Sequence, residues 1–325
     1  MHFPEYRARR TRRKLNARRL MRETAIDVGQ LIAPLFVVEG QNREQPLDAL
    51  PGVSAYSVDR LVEVAAELQR RGVGTVWLAA QVGQRDELAR AAVDKRGLIP
   101  AALAQLRATA PELVLFSDLD LTPFTTHGHP GVLRNQELDN DATLELLTEA
   151  ALLHGRAGAD FVVTSGAVDG EVALVRDALD EEGLDDVGII ARAVTFASAF
   201  SAGGWHRLGE SAPVDVRGYR LDPANAREAL REASLDADEG ADALVVCPAL
   251  PSLDVIAMLV EELDLPLLAA EGSGEHRLRC AANERGWLDG DRALLEQLVC
   301  LKRAGAAAVA SFSAGEAARL LTRAP

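Results

Sequence analysis

The chain has 325 residues, 48% of them hydrophobic and only 4% aromatic, so one large core can form, built mainly from Ala, Val, Leu and Ile. Its formal charge is -14, from 49 acidic against 35 basic residues, a balance that argues against general nucleic-acid or anionic-membrane binding. No apolar stretch reaches spanning length, and three cysteines (Cys247, Cys280 and Cys300) show no metal or redox spacing. A soluble protein of the reducing cytoplasm is the expectation.

Charge is concentrated at the start. Residues 1–25 read as a basic arm carrying Arg7, Arg9, Arg10, Arg12, Arg13, Lys14, Arg18, Arg19 and Arg22. It lacks the serine content and cleavage region of a transit peptide, and a nucleic-acid tail would work against the acidic body. An arm that pairs with the acidic surface of a neighbouring subunit is the preferred reading.

From residue 26 to 325 short apolar runs alternate with helical segments and no linker interrupts them, so a single domain is expected. Strands are predicted near Leu35–Glu39, Gly74–Ala79, Leu113–Leu119, Phe161–Ser165, Val187–Ala193, Ala243–Pro248, Pro266–Glu271 and Ala307–Ser313. Their nearly continuous apolar character suits parallel strands covered on both sides. Val62, Ala65, Ala66 and Leu68 share the spacing of one helical face, as do Leu144, Leu147 and Ala151, and Ala229, Ala233 and Ala237. Asp222-Pro223 opens a helix at Ala224, which Gly240 closes. Eight strand–helix alternations predict an α/β fold of the (β/α)8 TIM-barrel type. The alternative, a doubly wound open sheet, has no Gly-rich phosphate fingerprint after its first strand to support it. The irregular stretch 200–221 exceeds an ordinary connection and reads as a lid over the active site.

Chemistry in such a barrel gathers at the strand ends. These present Glu39, Asp118, Asp120, Ser165, Arg192, Thr195, Cys247, Glu271, Ser273, Ser311 and Ser313. Carboxylates, an arginine and a thiol together are not the composition of a purely structural core.

The segments Leu31-Ile32-Ala33-Pro34-Leu35-Phe36-Val37-Val38-Glu39-Gly40, Pro123-Phe124-Thr125-Thr126-His127-Gly128-His129, Phe196-Ala197-Ser198, Leu221-Asp222-Pro223-Ala224-Asn225, Pro248-Ala249-Leu250-Pro251 and Ser273-Gly274-Glu275 occur in order along the chain. Together they resemble the porphobilinogen synthase (5-aminolevulinate dehydratase) family over essentially the whole length. The resemblance implies a TIM barrel with an N-terminal arm, assembled from dimers into a homo-oligomer, a hexamer or an octamer. It implies a condensation of two 5-aminolevulinate molecules through Schiff bases on two adjacent lysines. At the two lysine positions this chain has Thr195 and Cys247, and neither forms an iminium with a ketone. The zinc-cysteine positions read Asp120, Thr122 and Pro130, which disfavours Zn2+. Two arginines that grip a substrate carboxylate are replaced by Trp205 and Val216, with Arg217 adjacent. Asp118, Ser165 and Ser273 are retained family positions, whereas Arg192 and Glu271 are new.

The scaffold survives while the pocket is rewritten, so the expectation is a repurposed enzyme for a small amino or keto acid. Condensation, dehydration or ring closure would proceed without lysine Schiff bases. Cys247, Asp118, Asp120 and Glu271 are the catalytic candidates; Thr195, Arg192, Ser165, Ser273, Arg217 and His206 are the substrate-binding candidates. Cys247 reads as a thiolate nucleophile or as a small gap-filler. Asp118, Asp120 and Glu271 read as oxygen ligands for Mg2+ or, preferably, as partners of Arg192 and backbone amides. Glu232 falls where some relatives hold an allosteric magnesium. A silent homologue that binds ligand or co-assembles with a true synthase, and an ordinary dehydratase of haem biosynthesis, are the alternatives.

Overall fold

The computed structural model describes residues 7–166, 168–201, 215 and 217–323. Eight parallel strands are formed by the apolar runs: β1 (Leu31–Val38), β2 (Thr75–Gln81), β3 (Val114–Asp118), β4 (Phe161–Val163), β5 (Gly188–Thr195), β6 (Ala243–Cys247), β7 (Leu267–Ala270) and β8 (Ala308–Ala310). Each pairs with the next, and β8 returns to β1 through Leu31 opposite Val309 and Ile32 opposite Ala310. The sheet is a closed barrel with helices outside, as the alternation predicts. A short antiparallel pair, Glu44–Pro46 with Ser54–Tyr56, extends the rim beside β1.

Closure imposes a two-residue alternation on every strand. Ile32, Phe36, Trp77, Phe116, Val163, Ile190, Val245, Leu268 and Ala270 share the interior cluster. Leu31, Leu35, Leu78, Leu115, Val162, Leu244 and Ala269 belong to the layer beneath the helices. The buried interior aromatics Phe36, Trp77 and Phe116 lie on β1 to β3, and the interior residues of β6 to β8 include Ala243, Ala270 and Ala310. The predicted helical faces are buried as expected. Leu61, Ala65 and Leu68 lie inward on Val58–Arg70, Leu147 and Ala151 on Asn140–Ala157, and Ala229 and Ala233 on Ala226–Asp238. This last helix begins two residues after the predicted start. Asp222 accepts the Ala224 N–H at 2.9 Å, which closes a turn before the helix starts.

One irregularity matters for the site. Ala191 is opposite Leu244, yet Val194 is opposite Val246, so β5 carries one extra residue against β6. Such a bulge resets the alternation. Val194 faces the helix layer, and Thr195 is turned into the mouth opposite Cys247.

The arm carries a helical turn at Ala8–Arg12 and a helix at Leu15–Leu20, neither with a buried residue, and leaves Leu15, Leu20 and Met21 exposed. Among the described residues no helix is long and apolar enough to cross a membrane.

The floor of the barrel is tightly fitted where the Phe161 ring meets Phe116 edge-on at 5.2 Å. A Cβ at Gly188 would stand 2.4 Å from the Phe161 ring. Gly188→Ala is therefore expected to lower unfolding stability by about 1–3 kcal/mol, the usual cost of overpacking. Denaturant titration checks this, and an unchanged midpoint would mean that the ring moves aside freely.

Candidate active site

Alternation selects which strand-end residues meet. Asp118 lies two residues beyond Phe116, Arg192 two beyond Ile190 and Cys247 two beyond Val245, so all three continue the inward rows. Arg192 and Cys247, with Thr195, Ser273 and Arg220, surround a narrow recess whose wall includes the Trp77 ring, and Asp118 supports Arg192 from behind it. The recess adjoins a cavity of about 690 Å³ lined by Glu171, Asp236, Tyr219, Arg217 and Arg220.

Arg192 is the electrostatic centre. Its Nη2 donates to both oxygens of Asp118 at 2.9 and 2.8 Å, and its Nη1 stands 3.5 Å from Asp120 Oδ2. The guanidinium carbon lies 5.4 Å from the Trp77 ring centroid, within cation–π range. Burial works against the charge, but Asp118 and Asp120 outweigh it and hold the guanidinium above its usual pKa. Asp118 also accepts the Asp120 N–H, and Asp120 the Thr122 N–H. Breaking a buried pair of this kind by removing one partner costs about 3–5 kcal/mol.

Behind Asp118, the Ser117 hydroxyl meets His154 Nδ1 at 3.1 Å. Burial pushes the His154 pKa down to about 4, so the imidazole there is neutral. Ser165 is held by Glu171, which accepts its N–H and its hydroxyl, each at 2.7 Å. Burial pushes Glu171 up to about 7 against those hydrogen bonds. Asp236, lining the same cavity, is pushed up to about 8 by burial and by Glu171, Glu239 and Glu232. A carboxyl near neutrality on a cavity wall has the properties of a general acid or base.

Not every predicted residue joins this group. Glu271 follows the inward Ala270 and so turns to the helix layer, where it pairs with Arg279 at 3.5 Å and accepts from Ser311 Oγ at 2.7 Å and Phe312 N at 3.1 Å. Burial would raise its pKa, but His276, Arg279 and Ser311 prevail and hold it below the ordinary value. Glu271 is thus a structural carboxylate that partners neither Arg192 nor the mouth. For Cys247, burial followed by the charge of Glu275 pushes the thiol up to about 11, which favours the gap-filler over the thiolate nucleophile. Arg217 is exposed and bound to the exposed Asp215 at 2.6 Å, on the outer cavity wall. His206 and Trp205, with most of the lid, lie outside the described residues. Glu232 also lines the outer cavity and approaches Arg231 at 3.5 Å. Among the described residues no three His, Cys, Asp or Glu side chains gather as a metal site.

The sequence reading missed Arg220 and Glu171. Arg220 lines both the recess and the larger cavity, and its place next to Leu221-Asp222-Pro223 was the available signal. Glu171 lies in a helix rather than at a strand end, so the strand-end search passed over it. The Thr195 hydroxyl is buried without a hydrogen-bond partner among the described residues, which marks it as aimed at something absent from the protein.

Comparisons with known proteins agree on one family. The model of the family "Delta-aminolevulinic acid dehydratase" matches residues 5–320. The chain belongs to the delta-aminolevulinic acid dehydratase family. The delta-aminolevulinic acid dehydratase of Streptomyces coelicolor is 43% identical over 323 residues, covering 98% of each chain. That of Synechococcus elongatus is 40% identical, covering 98% of this chain and 99% of that one. The Toxoplasma gondii enzyme, solved in complex with its reaction product porphobilinogen, superposes with a TM-score of 0.93 at 36% identity, over 97% of this chain and 91% of that one.

The chain has three lysines, Lys14, Lys95 and Lys302, and none lines the recess or the larger cavity. Lys14 caps the arm helix, Lys95 is exposed, and Lys302 donates to the Ala307 carbonyl at 2.9 Å below β8.

Glu171 provides a test of the site's electrostatics. Folded, it keeps its proton up to about pH 7, against an ordinary value of 4.5, so the native state binds more protons across that window. Its contribution to stability is full below pH 4.5 and is lost as pH rises through 7. Glu171→Gln is expected to flatten this part of a plot of denaturant midpoint against pH. An unchanged slope would assign it to Asp236 instead.

Proposed function

We propose that this protein is an enzyme of the delta-aminolevulinic acid dehydratase family that processes a small amino or keto acid by condensation, dehydration or ring closure, without a lysine Schiff base. The observation that carries this reading is the pair Thr195–Cys247. The two residues are opposite each other on β5 and β6, at the centre of the mouth, with no lysine on either cavity wall. A hydroxyl and a protonated thiol cannot condense with a ketone to give an iminium.

The surrounding groups suit a polar, anionic substrate. Arg192 is occupied by Asp118 and Asp120, which leaves Arg220 as the recess cation whose guanidinium meets no carboxylate among the described residues. In this reading Arg220, Ser273 and the unpartnered Thr195 hydroxyl receive the substrate's carboxylate, and Glu171 moves protons from the wall of the larger cavity. Asp118 and Asp120 keep Arg192 charged and fixed rather than ligating a cation. The protein is proposed to act as a cytoplasmic homo-oligomer, with the exposed Leu15, Leu20 and Met21 of the arm seated on a neighbouring copy.

A second reading is the dehydratase reaction itself. It is favoured by the 43% identity, spread over 98% of both chains, to a protein of that name. Incubating purified protein with 5-aminolevulinate, with and without Mg2+ or Zn2+, and adding borohydride separates the two. The proposal expects no porphobilinogen and no trapped adduct, and turnover of another acid that falls at least about ten-fold in Glu171→Gln. Porphobilinogen formed at the rate of a lysine-bearing relative would establish the second reading. Ligand binding with no turnover across a panel of amino and keto acids would favour a silent homologue.

A further inference from the structure

Outside the mouth, a second group of reactive side chains lies where helix Ser273–Glu284 meets the rim. His276 and Cys280 are one helical turn apart, with Cys280 Sγ 3.6 Å from His276 Nε2. The same nitrogen lies 2.9 Å from the Pro51 carbonyl oxygen. A carbonyl only accepts, so Nε2 carries the ring proton, and that N–H is directed between the carbonyl and the sulfur. On the other side of the ring, Nδ1 lies 3.7 Å from Glu271 Oε1 and 3.2 Å from Arg279 Nη2. The ring is further fixed by Phe312, edge-on at 5.4 Å. Sulfur, imidazole and buried carboxylate thus stand in line, with a guanidinium beside them.

This line ends on open space. A cavity of about 430 Å³ is bounded by Pro51, Val53, His276, Cys280, Phe312 and Ser313. It is separate from the mouth, since none of these residues lines the recess or the larger cavity there. The other titratable and charged groups on its wall are Tyr56, Arg71 and Glu316.

We propose that Cys280 is a reactive thiol, a covalent-modification site for small electrophiles such as hydrogen peroxide that enter this cavity. A proton-bearing nitrogen and a nearby guanidinium stabilise the thiolate over the thiol. Consistent with that geometry, the hydrogen bond from His276 lowers the Cys280 pKa below its ordinary value. In the step itself the thiolate sulfur attacks one peroxide oxygen, an S–O bond forms and the O–O bond breaks. Hydroxide leaves and takes up the proton that the thiol released on ionising, so one water forms, sulfur is oxidised to a sulfenic acid and the peroxide is reduced. Cys300 provides an internal control. It is also half-buried, with Arg303 Nη2 3.4 Å from its sulfur, but no histidine contacts it among the described residues.

The test uses the full-length protein at pH 7 with limiting iodoacetamide, followed by peptide mass spectrometry at successive times. Cys280 is expected to be alkylated at least about ten-fold faster than Cys300, with Cys247 slower still. Hydrogen peroxide followed by dimedone is expected to tag Cys280 first. His276→Phe is expected to bring Cys280 down to the rate of Cys300. The comparison among the three cysteines of the unaltered protein decides the matter even where that variant does not fold. Alkylation of Cys280 no faster than that of Cys300 overturns the proposal, and a fast Cys280 in folded His276→Phe overturns its assignment to the histidine.

Discussion

In a closed barrel, side chains alternate between the interior and the helix layer, and that alternation determines which strand-end residues act together. Position along the sequence is a poor guide: Ala270 and Glu271 are neighbours, yet one faces the recess and the other faces helix Ser273–Glu284. The charges sort accordingly. Arg192 finds Asp118 and Asp120 inside, while Glu271 finds Arg279, Ser311 and the Phe312 amide outside. Each buried charge thus has an opposite charge or several donors, which an interior of low dielectric demands.

The β5 bulge is the one departure from this alternation, and it places a residue at the centre of the mouth. Without the extra residue, Thr195 would fall on the outward row with Ala191 and Ala193. With it, Thr195 and Cys247 are side by side. The bulge therefore sets which two side chains share the centre of the mouth.

The barrel was legible in the sequence because eight apolar runs and the helical periodicities between them point to one architecture at every level. The inward set at the mouth was legible in part. Asp118, Arg192, Thr195 and Cys247 were found as strand ends, but so was Glu271, since its strand end gives no sign of which face it occupies until the register is known. Glu171 was invisible for a different reason. It enters the cavity from a helix six residues beyond Ser165, and only the fold shows that its carboxylate reaches back to that hydroxyl. For Cys247 the neighbouring arginine does favour the thiolate, but burial and the charge of Glu275, which the sequence does not reveal, outweigh it.

The cations that line this mouth among the described residues are arginines, Arg192 and Arg220. A lysine in a desolvated mouth becomes neutral and attacks a carbonyl, but an arginine stays charged under any condition the protein meets. Arg192, clamped by two carboxylates, contributes a fixed unit without positive charge to spare that shapes the floor of the site. Arg220, without such a clamp, contributes net positive charge at the recess, next to an unsatisfied hydroxyl. An anionic group that enters there gains a charged hydrogen bond and satisfies Thr195 at once, whereas a ketone gains far less. In the proposed reading this mouth therefore selects the acid end of a substrate, and the carboxyl groups of the outer cavity move the protons.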